Sequence, residues 1–237
     1  MFLCLEPITL LVRFKKTKSS SSEVVIPQIF ATMMSSSSNY VHIFLNIASF
    51  QWNQPPNQKS TGIPKNAMSK IGGPEPRAYH SMTYYKNKII IFGGHGGIDY
   101  HRTAFNDIYE LDLETFEWRK PKTKGTPPEP RGGHVASLLA NKDKLMVFGG
   151  WNFILQFNNI FVYDLEAETW EDPEINHESP KWNLSGVLAP SIPSWKYFIF
   201  GGSSGNFFEG SNRTGSKYVN DIWYLDIDYM NWVPVKL

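Results

Sequence analysis

IIIFGG at residues 89–94, LMVFGG at 145–150 and YFIFGG at 197–202 decide the fold of this chain. Each is an apolar run of four closed by a glycine pair. Each is followed by a second signature: NDIYELDLETFEW at 106–118, NNIFVYDLEAETW at 158–170 and NDIWYLDIDYMNW at 220–232. In all three an aspartate stands six residues before a tryptophan, pairing Asp112 with Trp118, Asp164 with Trp170 and Asp226 with Trp232. A fainter copy, VHIFLNIASFQW at 41–52, puts Asn46 in the aspartate place before Trp52. A strand with one face in water alternates apolar and polar residues; a strand covered on both faces need not. The unbroken apolar runs therefore predict inner strands of stacked sheets. The glycine pairs (Gly93 and Gly94, Gly149 and Gly150, Gly201 and Gly202) allow a sharp turn and a close backbone approach. The aspartates fall where a strand ends in a tight turn, where a short side-chain oxygen can accept from nearby backbone N–H groups. Each tryptophan then opens the outer strand and packs back onto the sheet.

Two of the units share a leading element, PEPRAYH at 74–80 and PEPRGGH at 128–134. The third has SPKWNLS at 179–185, so Arg77 and His80, or Arg131 and His134, have no evident counterparts there. The Arg-x-x-His pairs are read as structural, with arginine bonding carboxylates or carbonyls of a neighbouring unit. With these steps from one tryptophan to the next, at roughly the ~50-residue period of such units, residues 40–237 resemble the kelch repeat. The resemblance implies an all-β kelch-type β-propeller of about three complete four-stranded blades and a partial one. The blades span about 40–76 (partial), 77–121, 131–173 and 181–235. Closed propellers run from about four to eight blades, so an incomplete propeller is expected, with other blades or subunits completing it.

Residues 1–39 are read as a low-complexity, flexible segment. Two serine runs, Ser19–Ser22 and Ser35–Ser38, enclose EVVIPQIFATMM, which Pro27 weakens as a strand. The apolar stretch Met1–Val12 is too short to span a bilayer, and its positive charge follows rather than precedes it, unlike a signal peptide. A formal net charge of +1 gives no electrostatic reason to expect nucleic acid or an anionic membrane. Cys4 is the single cysteine, which favours a reducing, cytoplasmic setting over a disulfide-stabilised secreted one.

Strand order in a four-stranded blade predicts where binding residues lie. With strands a to d antiparallel in sequence, the b–c loops and d–a connections share one face, and the a–b and c–d turns share the other. The a–b turns are short (Lys86-Asn87; Asn141-Lys142-Asp143), as are the c–d turns (Glu114-Thr115; Glu166-Ala167; Asp228-Tyr229). The b–c loops are long: HGGIDYHRTAF at 95–105, WNFILQF at 151–157 and SSGNFFEGSNRTGSKYV at 203–219. Long d–a connections, RKPKTKGTPPEP at 119–130 and EDPEINHESP at 171–180, lie beside them. Long loops on a rigid scaffold carry function, and aromatic and arginine side chains anchor interfaces. Tyr100, Arg102, Trp151, Phe153, Phe157, Phe207 and Phe208 are thus the expected contacts of a protein partner, which makes the chain an interaction module or scaffold. The alternative for Trp151 and Phe153 is a satellite core under their own loop.

The competing class is an enzyme using a metal or small-molecule site at the propeller channel. Copper oxidases of kelch-like fold need a cysteine beside a tyrosine in the propeller, and Cys4 lies outside it. His95, Asp99 and His101 sit close in sequence, but their spacing matches no standard metal site. No P-loop or HExxH motif is present. No catalytic residue, metal or cofactor is assigned.

Overall fold

The computed structural model describes residues 9–19, 22–34, 40–46, 51–53, 73–97, 102–139, 143–178, 181–190, 194–204 and 217–236, with side chains from residue 73 on. These segments form four antiparallel four-stranded sheets and a small two-stranded ribbon. The first sheet holds β1 (Thr9–Ser19), β2 (Ser22–Met34), β3 (Tyr40–Asn46) and β4 (Gln51–Asn53). The second holds β5 (Ser81–Tyr85), β6 (Lys88–Gly96), β7 (Thr103–Asp112) and β8 (Trp118–Arg119); the third holds β9 (Val135–Leu138), β10 (Lys144–Phe148), β11 (Ile160–Asp164) and β12 (Thr169–Glu171). In the fourth, β13 (Ser185–Pro190) and β14 (Trp195–Phe200) are followed by the ribbon of β15 (Ser203–Ser204) and β16 (Lys217–Tyr218), then by β17 (Ile222–Asp226) and β18 (Asn231–Pro234). Innermost strands of consecutive sheets touch in the series β1, β5, β9, β13. This is the expected all-β blade architecture, and no helix occurs among the described residues, so none there is long and apolar enough to cross a membrane.

The reading of residues 1–39 as lying outside the sheets is corrected for two segments. β1 and β2 form a hairpin in which Ser19 pairs with Ser22, and β2 pairs onward with β3. The first serine run is thus where the chain reverses. Pro27 pairs with Phe14 of β1 but stands just beyond the β2–β3 ladder, which ends at Gln28. A proline is tolerated where no neighbouring strand needs its missing N–H. The partial blade accordingly gains its two inner strands. The second serine run lies outside the described residues.

The stacking of sheets explains the unbroken apolar runs. Ile90, Phe92, Leu145, Val147, Phe161 and Tyr163 form the core between the second and third sheets. Met146, Phe148, Ile160 and Val162 join Tyr197, Ile199 and Leu225 between the third and fourth. Alternate residues of β10 therefore face opposite neighbours, and both faces are dry. Each later tryptophan packs on the phenylalanine that precedes a glycine pair in the sheet before. Trp170 lies 5.2 Å from Phe92, and Trp232 lies 4.7 Å from Phe148, between ring centroids.

The glycine pair is dictated by two close backbone approaches. At Gly149, with φ +71°, a Cβ would stand 2.5 Å from the Lys181 carbonyl of the next sheet's leading segment, and at Gly150, with φ +93°, 2.9 Å from that of Gly132 in its own sheet's leading segment. A side chain at the first position would push the following blade away, and one at the second would push away the leading segment of its own blade. The aspartates work as expected: Asp164 Oδ1 accepts from the N–H groups of Glu166 (3.0 Å) and Ala167 (2.7 Å), and Asp112 and Asp226 repeat the motif. Asp164→Ala is expected to cost about 1 kcal/mol, the usual value of a side-chain cap on exposed N–H groups. Urea denaturation at neutral pH checks it, and Asp164→Asn should retain most of the stability.

One expectation about the third leading element is overturned. Lys181 holds the place of Arg77 and Arg131, and Leu184 that of His134. Arg77 is paired with Asp107, and Arg131 donates to Asn159 Oδ1 at 2.8 Å. Lys181 Nζ donates to Asp221 Oδ1 at 2.7 Å. In each sheet the cation meets the second residue of the Asn-Asx-Ile entry. The first asparagine ties down the connection to the next sheet, Asn106 to the Pro128 carbonyl (3.0 Å) and Asn158 to that of His177 (2.7 Å). The unit is conserved in charge and geometry, although the letters differ.

Candidate functional site

Turn geometry confirms that the two edges differ. Leu113 N–H donates to the Asn87 carbonyl, and Leu165 N–H to that of Asp143, so a–b and c–d turns share one edge. There Lys86 Nζ and the Tyr85 hydroxyl both reach Glu166, at 2.6 and 2.7 Å, latching the second sheet to the third. On the opposite edge the residue after each glycine pair bridges to the leading segment: Ala78 with His95, Gly132 with Trp151, and Trp182 with Ser203.

These bridges set up a ladder of rings across three sheets. Tyr79 lies 5.9 Å from His95, His95 5.0 Å from Trp151, and Trp151 4.9 Å from Trp182, between centroids. Phe153 stacks on the same imidazole at 4.2 Å and on Trp151 at 5.1 Å. Its φ of +74° is the strained conformation that turns it back under the loop. The ladder needs Gly132, where a Cβ would stand 2.9 Å from the His95 ring. In the fourth sheet the same position is Trp182, which becomes a rung.

His95 is buried, and its Nε2 donates to the Trp151 carbonyl at 2.8 Å. Burial pushes its pKa down, and the Arg102 cation adds to this against the pull of the carbonyl bond. A neutral imidazole spent on a backbone carbonyl is a brace. Asp99 and His101, read beside it as possible ligands, lie outside the described residues. Among the described residues no group of three His, Cys, Asp or Glu side chains is arranged to hold a metal.

Of the partner contacts expected from sequence, the structure brings together Trp151 and Phe153, both half-buried in the ladder, with Arg102 exposed nearby. Phe157 is corrected: it is buried with the Arg131 guanidinium 4.0 Å above its ring, the place Phe105 takes under Arg77. It supports the repeat cation and has little surface to offer. Tyr100, Phe207 and Phe208 lie outside the described residues. The long d–a connections are also partly committed to structure, since the Lys124 backbone bonds Glu168, just before β12, and Trp170 within it, and the Ile175 carbonyl accepts from Ile160 N–H.

Sequence reading missed the tip of the 151–157 loop. Asn152 Oδ1 accepts from Ile154 N–H (3.2 Å) and Leu155 N–H (2.8 Å), and Asn152 N–H donates to the Leu155 carbonyl. This closed turn holds out Ile154, 73% exposed, and Leu155, 57% exposed. An exposed apolar pair on a hydrogen-bonded turn, beside an aromatic floor, is suited to enter a hydrophobic pocket of a partner.

The KLHDC2/KLHL20/DRC7 Kelch-repeats domain matches residues 31–237. The chain belongs to the kelch-repeat family. Kelch domain-containing protein 2 of Bos taurus is 28% identical over 193 residues, covering 73% of this chain and 42% of that protein. Host cell factor 2 of Homo sapiens is 42% identical over 185 residues, covering 65% of this chain and 21% of the relative. The flagellar outer-arm dynein alpha chain of Chlamydomonas reinhardtii is 33% identical over 155 residues, covering 64% of this chain and 3% of the dynein. The chain thus spans less than half the length of these relatives. Kelch membership and these relatives support a role in protein interaction.

Proposed function

We propose that this kelch chain is a binding platform for a protein partner, engaged on the edge formed by the b–c loops and the d–a connections. The observation that carries the reading is the hydrogen-bonded 151–157 turn, which holds Ile154 and Leu155 in water above the ladder of Tyr79, His95, Trp151 and Trp182. The ladder makes the floor stiff, so little ordering entropy is lost when a partner seats on it. Arg102 and the exposed Tyr79 border the floor and supply a polar rim, while the opposite edge offers short turns, where Lys86 is already paired with Glu166 and Asp143. The single cysteine and the near-neutral charge fit a scaffold working in the cytoplasm rather than a nucleic-acid or membrane binder.

Ile154→Asp with Leu155→Asp is expected to weaken partner binding by about 2 kcal/mol or more, roughly thirty-fold in Kd. The partner is first captured on immobilised chain and identified, then titrated as a purified protein by calorimetry. Circular dichroism of the double variant should match the wild type, because both side chains stand free. Charge reversal at Glu114, on the other edge, should leave Kd unchanged. Binding that survives the first change and fails with the second would assign the partner to the turn edge. Trp151→Ala is the less informative variant, since removing a rung disturbs His95 and Trp182 together.

A further inference from the structure

The connection that leaves the second sheet carries four cations in six residues: Arg119, Lys120, Lys122 and Lys124. Its backbone is pinned. Lys124 N–H donates to the Glu168 carbonyl at 2.8 Å, and the Lys124 carbonyl accepts from Trp170 N–H at 2.9 Å. Gly125 follows with φ +72°, where a Cβ would run into the Trp170 carbonyl. Upstream, Pro121 is buried. Its ring fixes its own φ and holds the residue before it, Lys120, in an extended conformation. Lys120, Lys122 and Lys124 are all exposed. Alternate residues of an extended chain stand about 6–7 Å apart. The segment is therefore a short comb of ammonium groups that ends against β12, the outermost strand of the third sheet.

The carboxylates of the adjoining strands are engaged by other cations. Asp107 holds Arg77 and stands 3.6 Å from Lys120 Nζ. Glu110 holds Lys88 and Arg119, Glu168 holds Arg119, and Glu171 holds Lys144. Lys120 also lies over the Tyr109 ring, 5.1 Å from its centroid. Lys122 and Lys124 make no ion pair among the described residues. Like charges at this spacing repel one another, and the fold supplies no anion for the last two. In an extended chain successive residues turn their N–H and C=O groups to opposite sides. Lys124 gives both of its groups to β12, so those of Thr123 face outward, with no bond among the described residues. Lysines also guard a sheet edge against pairing with other chains, but a guard works with charge of either sign and in any register.

We propose that residues 120–124 bind an acidic peptide segment of a partner in extended conformation, with carboxylates on alternate residues opposite Lys120, Lys122 and Lys124 and its backbone beside Thr123. An extended peptide repeats its side chains at the same spacing of about 6–7 Å, so the two rows mesh in register. The net charge of +1 gives the chain no broad positive field to gather a nucleic acid or an anionic membrane; the cationic feature is local and strand-like. Contacts between exposed charges are individually weak, and together they steer and orient a partner more than they fix its affinity. The site lies in the first d–a connection but against β12, apart from the ring ladder. It does not depend on Ile154 and Leu155 meeting a partner.

Fluorescence anisotropy of a labelled peptide of alternating glutamate and threonine, titrated with the full chain, tests this. Binding is expected at about 0.1 M salt and should vanish at about 1 M, where the screening length falls from about 10 Å to about 3 Å, below the spacing of the charges. Lys122→Glu with Lys124→Glu should raise Kd by at least about tenfold, with the melting temperature unchanged. Should that pair destabilise the chain, Lys122→Gln with Lys124→Gln replaces it. Lys122→Thr with Thr123→Lys keeps the net charge but breaks the register, and should weaken binding several-fold. Ile154→Asp with Leu155→Asp should leave peptide binding unchanged, which separates this site from the loop edge. A wild-type chain that ignores the peptide overturns the proposal, as does equal binding of the glutamine counterpart or undiminished binding by the charge-reversed pair. Undiminished binding by the register variant would reduce the site to net charge and overturn it too. So would a short single-stranded RNA or phosphatidylserine vesicles bound as tightly through the same lysines, or loss of peptide binding in the Ile154 and Leu155 variant.

Discussion

Arg131→Ala is expected to cost roughly 3–5 kcal/mol, the range for removing one member of a buried charged network. In a chain of this size that lowers the melting temperature by about 10 °C. Arg131 is fully buried. Its Nη1 donates to the Gly149 carbonyl (3.1 Å) and to Asn159 Oδ1 (2.8 Å), and its Nη2 to Glu129 Oε2 (2.8 Å). Burial pushes its pKa down to about 10, still well above neutrality, so the site is charged when folded. Alanine would take the donor from the Gly149 carbonyl, Asn159 Oδ1 and Glu129 Oε2 and leave a void over Phe157. Arg131→Lys alone should recover part of the loss, because a point charge cannot reproduce the planar fork. Adding Asn159→Asp rebuilds the Lys181–Asp221 pair of the fourth sheet and should recover more. Denaturation midpoints of the three variants decide the matter; a double variant no better than Arg131→Lys would show that the fork, and not the charge pairing, holds the blade.

His134→Leu should flatten the acid side of the stability profile. His134 is buried, with Nε2 3.0 Å from Ser81 Oγ and its ring edge-on to Phe92. Burial, with Arg131, His80 and His95 adding repulsion, pushes its pKa down to about 3. An unfolded histidine titrates near 6.5. Between those values the unfolded chain binds the proton and the folded one does not, so stability rises with pH across that window. The contribution is fully present above about pH 6.5 and is lost as pH falls towards 3, by on the order of 1 kcal/mol per pH unit. Leucine cannot take the proton, and Leu184 already occupies the equivalent place beside Gly202. His95, also depressed by burial, keeps part of the slope in the variant. Urea midpoints measured above and inside the window should converge for His134→Leu and diverge for the wild type.

The blades were legible because their grammar is carried by residues whose chemistry is specific: paired glycines that allow no Cβ, an aspartate that accepts two N–H groups, a tryptophan at fixed register. Lys181 was missed because only the letters Arg and His were sought, whereas the position asks for a cation opposite Asp221. β1 and β2 were missed because they carry no glycine pair, and because a serine run can be a hairpin turn as well as a tether. The loop edge was legible from loop lengths alone. Its floor was not, because Tyr79, His95, Trp151 and Trp182 come from three blades and meet only after the sheets stack. Ile154 and Leu155 were passed over in favour of aromatics, although a short apolar pair behind Asn152 is itself a signal for a closed, outward-pointing turn.

The junctions between sheets share one set of backbone bonds. Arg131 N–H reaches the Phe105 carbonyl, Gly94 N–H the Arg131 carbonyl, and Gly133 N–H that of Tyr79; at the next junction Lys181, Gly150 and Asn183 make the same bonds to Phe157, Lys181 and Gly133. None of the six asks anything of a side chain except that two glycines stay out of the way. A duplicated gene segment encoding one blade would therefore arrive with its joint ready on both sides, whatever residues it had since exchanged. Growth or loss of the protein by whole blades is mechanically simple, while a fractional gain must be absorbed in the loop edge, where the steps of 66, 52 and 62 residues between Trp52, Trp118, Trp170 and Trp232 show that it has been.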